Sequence, residues 1–252
     1  MSTPRIVGRE EWLVERRQLL KREKALTQEV DRLSEARRTL PWVRIETEYV
    51  FHAPEGEVTL DGLFGNHSQL AVYHFMFGPD WQEGCRSCSF WADNFDGVQS
   101  HLAARDIAFA AISRAPIDKI EPFRQRMGWK FRWVSSDGTS FNPDFHVSFG
   151  AGHQADDPVD YNFTIRTFPS DEAQGISVFS KGVDDAVFHT YSAYGRGVEV
   201  INGAYAFMDM VPKGRDEGDG PMRWVRHHDR YESAGTQRVS QPGWRAARLN
   251  LI

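Results

Sequence analysis

The sequence predicts an α/β protein in which helices flank a central mixed sheet. Three observations carry that prediction. Residues 70–77 (Leu-Ala-Val-Tyr-His-Phe-Met-Phe) are apolar or aromatic apart from His74, as in a strand buried on both faces, and Gly78-Pro79-Asp80 breaks the chain after them. From Cys88 onward Trp91, Phe95, Val98 and Leu102 recur at four, three and four residues, one apolar stripe of a helix. Residues 107–112 form a second apolar run, closed by Arg114-Ala115-Pro116, so that strand, helix and strand make a right-handed crossover between parallel strands.

The remaining elements follow in order. Residues 9–38 read as one long helix, with Trp12, Leu19, Leu26, Leu33 and Leu40 spaced by seven. A coiled-coil seam needs a second apolar row, and Glu15, Arg22, Glu29 and Ala36 supply only one apolar residue. The helix is therefore expected to dock on its own domain or on a partner subunit, a homodimer through this helix being one such arrangement. Its nine basic and seven acidic side chains are ordinary solvated surface. Residues 1–41 thus form an N-terminal helical extension, ended by Pro41, and 42–231 the main domain. A strand at 44–51, a turn at Pro54-Glu55-Gly56 and the segment 58–64 lead into the first buried strand. After the second, Ile117, Ile120, Phe123 and Met127 outline a helix that should start near Pro122 or kink there. A further strand is expected at 131–134. From Ser135 to Pro158 the chain is rich in Gly, Asp, Asn and Ser and has no periodicity. This insertion, around 135–160, is expected as a loop that folds over the cysteine pair and selects substrate. Residues 176–179 and 186–191, joined by 180–185, read as an antiparallel hairpin. Ile201, Ala204, Tyr205 and Met208 mark the face of a closing helix within 198–210. The tail, 232–252, is polar apart from Trp244 and the final Leu249-Asn250-Leu251-Ile252, and is expected to be partly disordered.

Cys85 and Cys88 are the only cysteines in 252 residues. Chance places two cysteines three apart on the order of one time in a hundred, and a CxxC pair beside a strand–helix–strand pattern points to dithiol redox chemistry. At the first turn of a helix, unpaired backbone N–H groups and the positive end of the macrodipole favour a thiolate. Cys85, nearer the exposed end, is the expected attacking thiolate, and Cys88, about one turn further in, resolves the mixed disulfide. Arg86 adds a positive charge beside Cys85. Half of a zinc site is a competing reading, but both missing ligands would have to be histidines, so no metal is expected. A relic or structural dithiol is the third.

The residues around the pair resemble a known family. Tyr73-His74-Phe75-Met76-Phe77-Gly78-Pro79-Asp80-Trp81 and Gly84-Cys85-Arg86-Ser87-Cys88-Ser89-Phe90-Trp91-Ala92-Asp93-Asn94-Phe95-Asp96-Gly97 are similar to the DUF899 family of largely bacterial proteins. So are Ser113-Arg114-Ala115-Pro116, Met127-Gly128-Trp129, Val187-Phe188-His189-Thr190-Tyr191-Ser192, Gly203-Ala204-Tyr205 and Pro212-Lys213-Gly214-Arg215, and the resemblance runs from about Thr3 to about Tyr231. It implies a thioredoxin-like fold and brings no settled activity. The predicted order of strand, CxxC, helix, strand, helix, hairpin and helix is also that of thioredoxin folds. Thioredoxins usually carry Trp-Cys-Gly-Pro-Cys, where this chain has Gly84 before the first cysteine and Arg86-Ser87 between the two. Thioredoxins also place a cis-proline before the strand that faces the dithiol. Here Ala173-Gln174-Gly175 precedes 176–179 and Pro169 lies too early, so substrate docking is expected to differ or Gly175 to open the backbone to something larger. Peroxiredoxins carry Pro and Thr seven and three residues before the peroxidatic cysteine, where this chain has Gly78 and Gln82.

Other residues have two readings each. Asp80 lies where thioredoxins keep a carboxylate that shuttles the resolving cysteine's proton, and an Asp beside Pro79 also caps a turn or helix. Trp81 is an apolar lip beside the dithiol or part of the core. Arg114 is a surface salt-bridge residue or a cation for an anionic substrate. His189 shares a strand face with Tyr191, as a hydrogen-bonded core histidine or a neighbour of Cys85. His227-His228-Asp229 reads as polar surface rather than metal ligands. Glycine-rich phosphate loops and the Gly-x-Ser-x-Gly elbow are missing.

Composition bounds the rest. The chain is 40% hydrophobic, enough for one enlarged domain, and its net charge of −5 argues against a nucleic-acid partner. No stretch approaches the roughly 20 apolar residues of a membrane span. The first residues lack a signal peptide's apolar core, and two-cysteine usage suits a reducing cytoplasm. The sequence therefore predicts a cytoplasmic thioredoxin-like dithiol–disulfide oxidoreductase without an organic cofactor. Its partners would be a protein or small-molecule disulfide and an external thiol reductant. A thiol peroxidase, in which Cys85 becomes a sulfenic acid and Cys88 closes the disulfide, is the alternative enzyme. A non-catalytic binding or scaffold protein is the alternative class.

Overall fold

The computed structural model describes residues 4–150, 152–218 and 220–231; the expected disorder of the tail, with Trp244 and the last four residues, lies outside them. The chain divides into two units, one up to Val43 and one from Arg44 onward. The first is dominated by the 30-residue helix α1 (Arg9–Arg38), whose first turn carries Glu10 and Glu11 and whose last turn carries Arg37 and Arg38, both as the helix dipole favours. None of its residues is buried, and Trp12, Leu19, Leu26 and Leu33 are exposed.

The strands in chain order are β1 (Val43–Arg44), at the boundary, β2 (Val50–Ala53), β3 (Gly56–Thr59), β4 (Gln69–His74), β5 (Ile107–Ser113), β6 (Arg132–Ser135), β7 (Pro158–Tyr161), β8 (Thr164–Thr167), β9 (Gly175–Lys181) and β10 (Val187–Tyr194). Eight form one sheet in the order β1-β10-β9-β4-β5-β6-β2-β3, and β7 and β8 pair separately. At its centre β4 and β5 run parallel, β9 is antiparallel to β4, and β10 is antiparallel to β9. The sequence 10-9-4-5, with those directions and a crossover between β4 and β5, is the thioredoxin fold that the sequence predicts. β6 extends it parallel to β5, and the β2–β3 hairpin closes that edge.

Alternation along the strands builds a core on each face. Leu70 and Val72 of β4, Ile112 of β5, Val134 of β6 and Phe179 of β9 turn to one face. Tyr73, Ala111 and Trp133, followed by Phe75 and Phe77, turn to the other. There they meet Cys88, Phe90 and Trp91 of α2 (Arg86–Ala92), and Ile120 and Phe123 of α4 (Ile117–Arg126), which follows the short α3 (Gln99–Ala103).

Several expectations change in detail. The single crossover helix is broken, because Asn94 turns its amide back onto the carbonyls of Phe90 and Trp91 and competes with the helical ladder. Helix α4 starts at Ile117 and carries Pro122 inside it. The predicted strand 44–51 is two stubs, β1 and β2. The insertion is not a loop over the cysteines: it forms α5 (Phe141–Asp144), and Phe141, Phe145 and Val147 fill the core on the face opposite α2. The β7–β8 hairpin has no counterpart in the sequence reading. The closing helix is split, with α6 (Gly203–Met210) capped by the Asn202 side chain, which accepts from the Tyr205 N–H at 3.1 Å.

Candidate functional site

The site is assembled where β4 leaves the sheet. Beyond His74, Phe75 and Phe77 stay buried, and the Phe75 N–H donates to Ile112 O (2.9 Å) while Phe77 O accepts from the Ala115 N–H (2.7 Å). Met76, between them, faces the cysteine loop: its carbonyl accepts from the Cys85 N–H (3.0 Å), and its N–H donates to Cys88 Sγ (3.4 Å). Cys85 is the N-cap of α2 and is half-buried; Cys88, in the first turn, is fully buried. Both are thiols.

Their surroundings separate the two sulfurs. The Cys88 thiol, reinforced by the backbone N–H groups of Cys88 and Ser87, lowers Cys85 from 9.0 to about 6, against the opposing effect of burial. Burial pushes Cys88 well above its ordinary value, and the negative charge on Cys85 adds to this. Cys88 Sγ also lies 3.9 Å from Gln174 Oε1, which accepts from the Tyr73 hydroxyl at 3.1 Å. Tyr73 is buried, and burial holds its phenol neutral. The arrangement presents one accessible thiolate over one protonated, enclosed thiol.

Gln174 stands in the segment before β9 where thioredoxins carry their cis-proline, and the described residues contain no cis peptide. Val147 O accepts from the Ala173 N–H (2.9 Å), Asp171 O accepts from the Phe149 N–H (3.0 Å), and the Tyr161 hydroxyl donates to Gln174 O (2.7 Å). The insertion and the β7–β8 hairpin thus brace the loop that carries Gln174.

The other predicted residues are dispersed. Arg86 is exposed, and Trp81 is half-buried against the core beside the dithiol. Asp80 is exposed in the turn after Phe77, so the carboxylate expected beneath the pair is not there. Gly175 serves packing instead of substrate access, since a Cβ there would stand 2.5 Å from Tyr194 Cδ1. Arg114 donates to Glu172 (2.6 Å), a fully buried carboxylate that also accepts from Ser148 (2.7 Å). His189 lies on the face opposite the dithiol, bonded to Ser192 (2.8 Å) and packed on Phe145 and Phe179; a bulge in β10 between His189 and Tyr191 disrupts their shared register. Among the described residues no group of three or more His, Cys, Asp or Glu could hold a metal ion, and no helix is long and apolar enough to cross a membrane.

Sequence reasoning missed Tyr73, Gln174 and the strap from Met222 to Tyr231. The strap was legible only as polar surface, yet His227 is buried and bonds to Gly84 O at 2.9 Å. The two histidines diverge, His228 pairing with Asp93 at 2.7 Å.

A thioredoxin sheet with a CxxC pair between its first crossover strand and helix defines a thioredoxin-fold dithiol protein. The chain belongs to the family described as "Bacterial protein of unknown function (DUF899)", which matches residues 1–231. None of the curated proteins compared with the chain matches it. Among solved structures it is similar to peroxidoxin BcpB from Mycobacterium tuberculosis, at 11% identity and a TM-score of 0.45, over 65% of this chain and 94% of that one. It is also similar to a variant of peroxiredoxin Q from Xanthomonas campestris (11%, 0.43, 67% and 98%). A hypothetical protein from Sinorhizobium meliloti is similar at 12% identity and 0.40, over 68% and 81%.

Proposed function

We propose that the protein is a thiol–disulfide oxidoreductase in which Cys85 attacks and Cys88 resolves. The supporting observation is the asymmetry of the pair: Cys85 is half-exposed and held near 6, while Cys88 is enclosed and held protonated. The Cys85 thiolate attacks one sulfur of a substrate disulfide, forming a mixed disulfide and expelling the other substrate sulfur as a thiolate. Cys88 then loses its proton, attacks Cys85 Sγ, and the second substrate thiolate leaves. The substrate has gained two electrons and the protein holds a Cys85–Cys88 disulfide, which an external dithiol reduces. Such a cycle belongs in a reducing compartment, and we place the protein there.

The test is a trapping experiment with oxidised glutathione. Cys88→Ser should accumulate a mixed disulfide on Cys85, detected by mass, whereas the wild type should release both glutathione thiols and retain an internal disulfide. Absence of the adduct in Cys88→Ser, at neutral pH and with Cys85 reactive toward alkylation, contradicts the reading. A peroxidase would use the same thiolate, with Cys85 attacking a hydroperoxide oxygen to give a sulfenic acid and Cys88 displacing water. It takes second place because Gly78 and Gln82 stand where peroxiredoxins carry Pro and Thr, and hydroperoxide in place of glutathione in the same experiment decides between them.

A further inference from the structure

The peptide unit between Gly84 and Cys85 is gripped at both ends. Its N–H donates to Met76 O (3.0 Å), and its carbonyl accepts from His227 Nε2 (2.9 Å). The tautomer follows from the partners: a carbonyl only accepts and an arginine only donates, so Nε2 carries the proton and Nδ1 accepts from Arg126 Nη2 at 3.2 Å. The imidazole is buried and meets the Phe123 ring edge-on, with centroids 5.3 Å apart.

The strap that delivers His227 is itself anchored. Arg126 holds Asp229 through two bonds (2.8 and 3.1 Å) and Glu83 through one (2.7 Å), and Arg230 reaches the same Glu83 (2.9 Å). Trp224 packs on Phe90 of α2 with centroids 5.4 Å apart. Gly84 has no lateral room either, because a Cβ would lie 2.7 Å from Phe123 and 2.8 Å from Phe75. Everything that fixes the residue before Cys85 converges on one backbone plane, and that plane sets the direction in which Cys85 leaves the loop.

We propose that His227 is a positioning residue for the dithiol: by holding the Gly84 carbonyl it fixes the Gly84–Cys85 peptide plane and keeps Cys85 Sγ directed at the N–H groups of Ser87 and Cys88. Without that donor the buried carbonyl lacks its partner, the peptide is held only at its N–H by Met76 O, its plane tilts about that remaining bond, and the sulfur shifts from its donors. This inference rests on the reading of Cys85 as the attacking thiolate.

The test compares His227→Ala, His227→Gln and Asp229→Ala by titrating the thiolate absorbance of Cys85 and by its alkylation rate at pH 6. His227→Ala should raise the Cys85 pKa by about one unit, a roughly fivefold loss of thiolate at pH 6 in the absorbance titration, of which the alkylation rate shows only about a twofold slowing because the more basic thiolate is the better nucleophile. The glutamine amide reaches the place of Nε2, so His227→Gln should titrate within about 0.3 units of wild type. Asp229→Ala loosens the strap while leaving the Gly84 bond, so it should lower the Tm without moving the titration. His227→Asn, whose amide is one bond short, replaces the alanine variant should that fail to fold. An unchanged Cys85 titration in His227→Ala overturns the inference, as does an equal shift in all variants that follows their loss of Tm. Failure of the underlying reading looks different, since Cys85 of the wild type would itself titrate near 9.

Discussion

Replacing Cys88 by Ala removes the largest influence on Cys85, the thiol that hydrogen-bonds to its sulfur. Were the whole displacement lost, Cys85 would return from about 6 to 9.0. At pH 7 the thiolate fraction would then fall from about nine-tenths to about one-hundredth, roughly 90-fold. Intrinsic nucleophilicity works the other way: with a Brønsted coefficient of about 0.4–0.5, a three-unit rise makes the thiolate roughly 15–30 times more reactive. The net effect on alkylation by iodoacetamide is therefore a slowing of only about three- to sixfold at pH 7, about 30- to 60-fold at pH 5, and an acceleration above pH 9. The two rate profiles should cross near pH 7.6, by the same arithmetic. The backbone donors of Ser87 and Cys88 survive the substitution, so these figures are upper limits and the crossing moves with them. Cys88→Ser keeps an O–H donor and should follow the wild type more closely. Profiles for wild type and Cys88→Ala that coincide at every pH would refute the reasoning, because the low value of Cys85 would then have another origin.

Four further outcomes follow from the same structure. The folded value of Cys85 lies below its unfolded one, so between about pH 6 and 9 the unfolded chain holds a proton the folded one has lost. Stability from this group is present above pH 9 and lost as the pH falls through 6, by no more than about 4 kcal/mol, and urea titrations of wild type against Cys85→Ser should show the difference in slope. Gly84→Ala drives a methyl into Phe75 and Phe123, which should destabilise by about 1–3 kcal/mol in urea unfolding and raise the Cys85 pKa; neutrality on both counts contradicts the packing described. Arg114→Ala leaves the buried Glu172, whose carboxyl burial already raises to about 7, without its cation; the carboxyl then takes up a proton, so the loss at pH 7 should be about 1–3 kcal/mol and grow with pH while the alkylation rate of Cys85 holds, whereas an Arg114 that binds substrate would do the reverse. If, as we propose, α1 pairs with a second copy through its exposed row Trp12, Leu19, Leu26 and Leu33, the acid in its first turn and the base in its last favour the antiparallel arrangement. Sedimentation equilibrium should find a dimer that Leu26→Glu/Leu33→Glu dissolves, and a wild-type monomer at all concentrations rules the pairing out.

The sheet centre was legible because burial on both faces leaves a plain mark: the runs at 70–77 and 107–112 admit little but a buried strand, and the hairpin of β9 and β10 is bounded by turn residues. The first crossover strand nevertheless ends its paired register at His74: Phe75 and Phe77 stay buried and are tied by single hydrogen bonds to Ile112 and Ala115, and periodicity carries no information on where regular pairing ends. The break at Asn94 was hidden because a side-chain amide competing for helix carbonyls leaves the apolar stripe intact. The insertion misled through composition. Its glycines and aspartates mark turns, while Phe141, Phe145 and Val147, too few to show a period, decide its burial. At the site, the spacing of Cys85 and Cys88 sufficed to find the pair. Gln174 and His227 could not be read, because each acts on the dithiol from 86 to 143 residues away in the chain through a single hydrogen bond. Asp80 and Gly175 were placed by analogy with thioredoxins, and this chain puts an exposed turn and the Tyr194 ring at those positions.

The most direct test of a working redox couple is the reduction potential of the Cys85–Cys88 pair, measured by equilibrating the folded protein in glutathione buffers and counting free thiols, with Cys88→Ser as control. The account predicts a reversible two-electron transition between the poises of thioredoxins and glutaredoxins, on the order of −270 to −200 mV, with far- and near-UV spectra unchanged across it. A pair that stays reduced in every buffer, or that closes only when the protein is denatured, would contradict it and leave the CxxC of this fold without redox work.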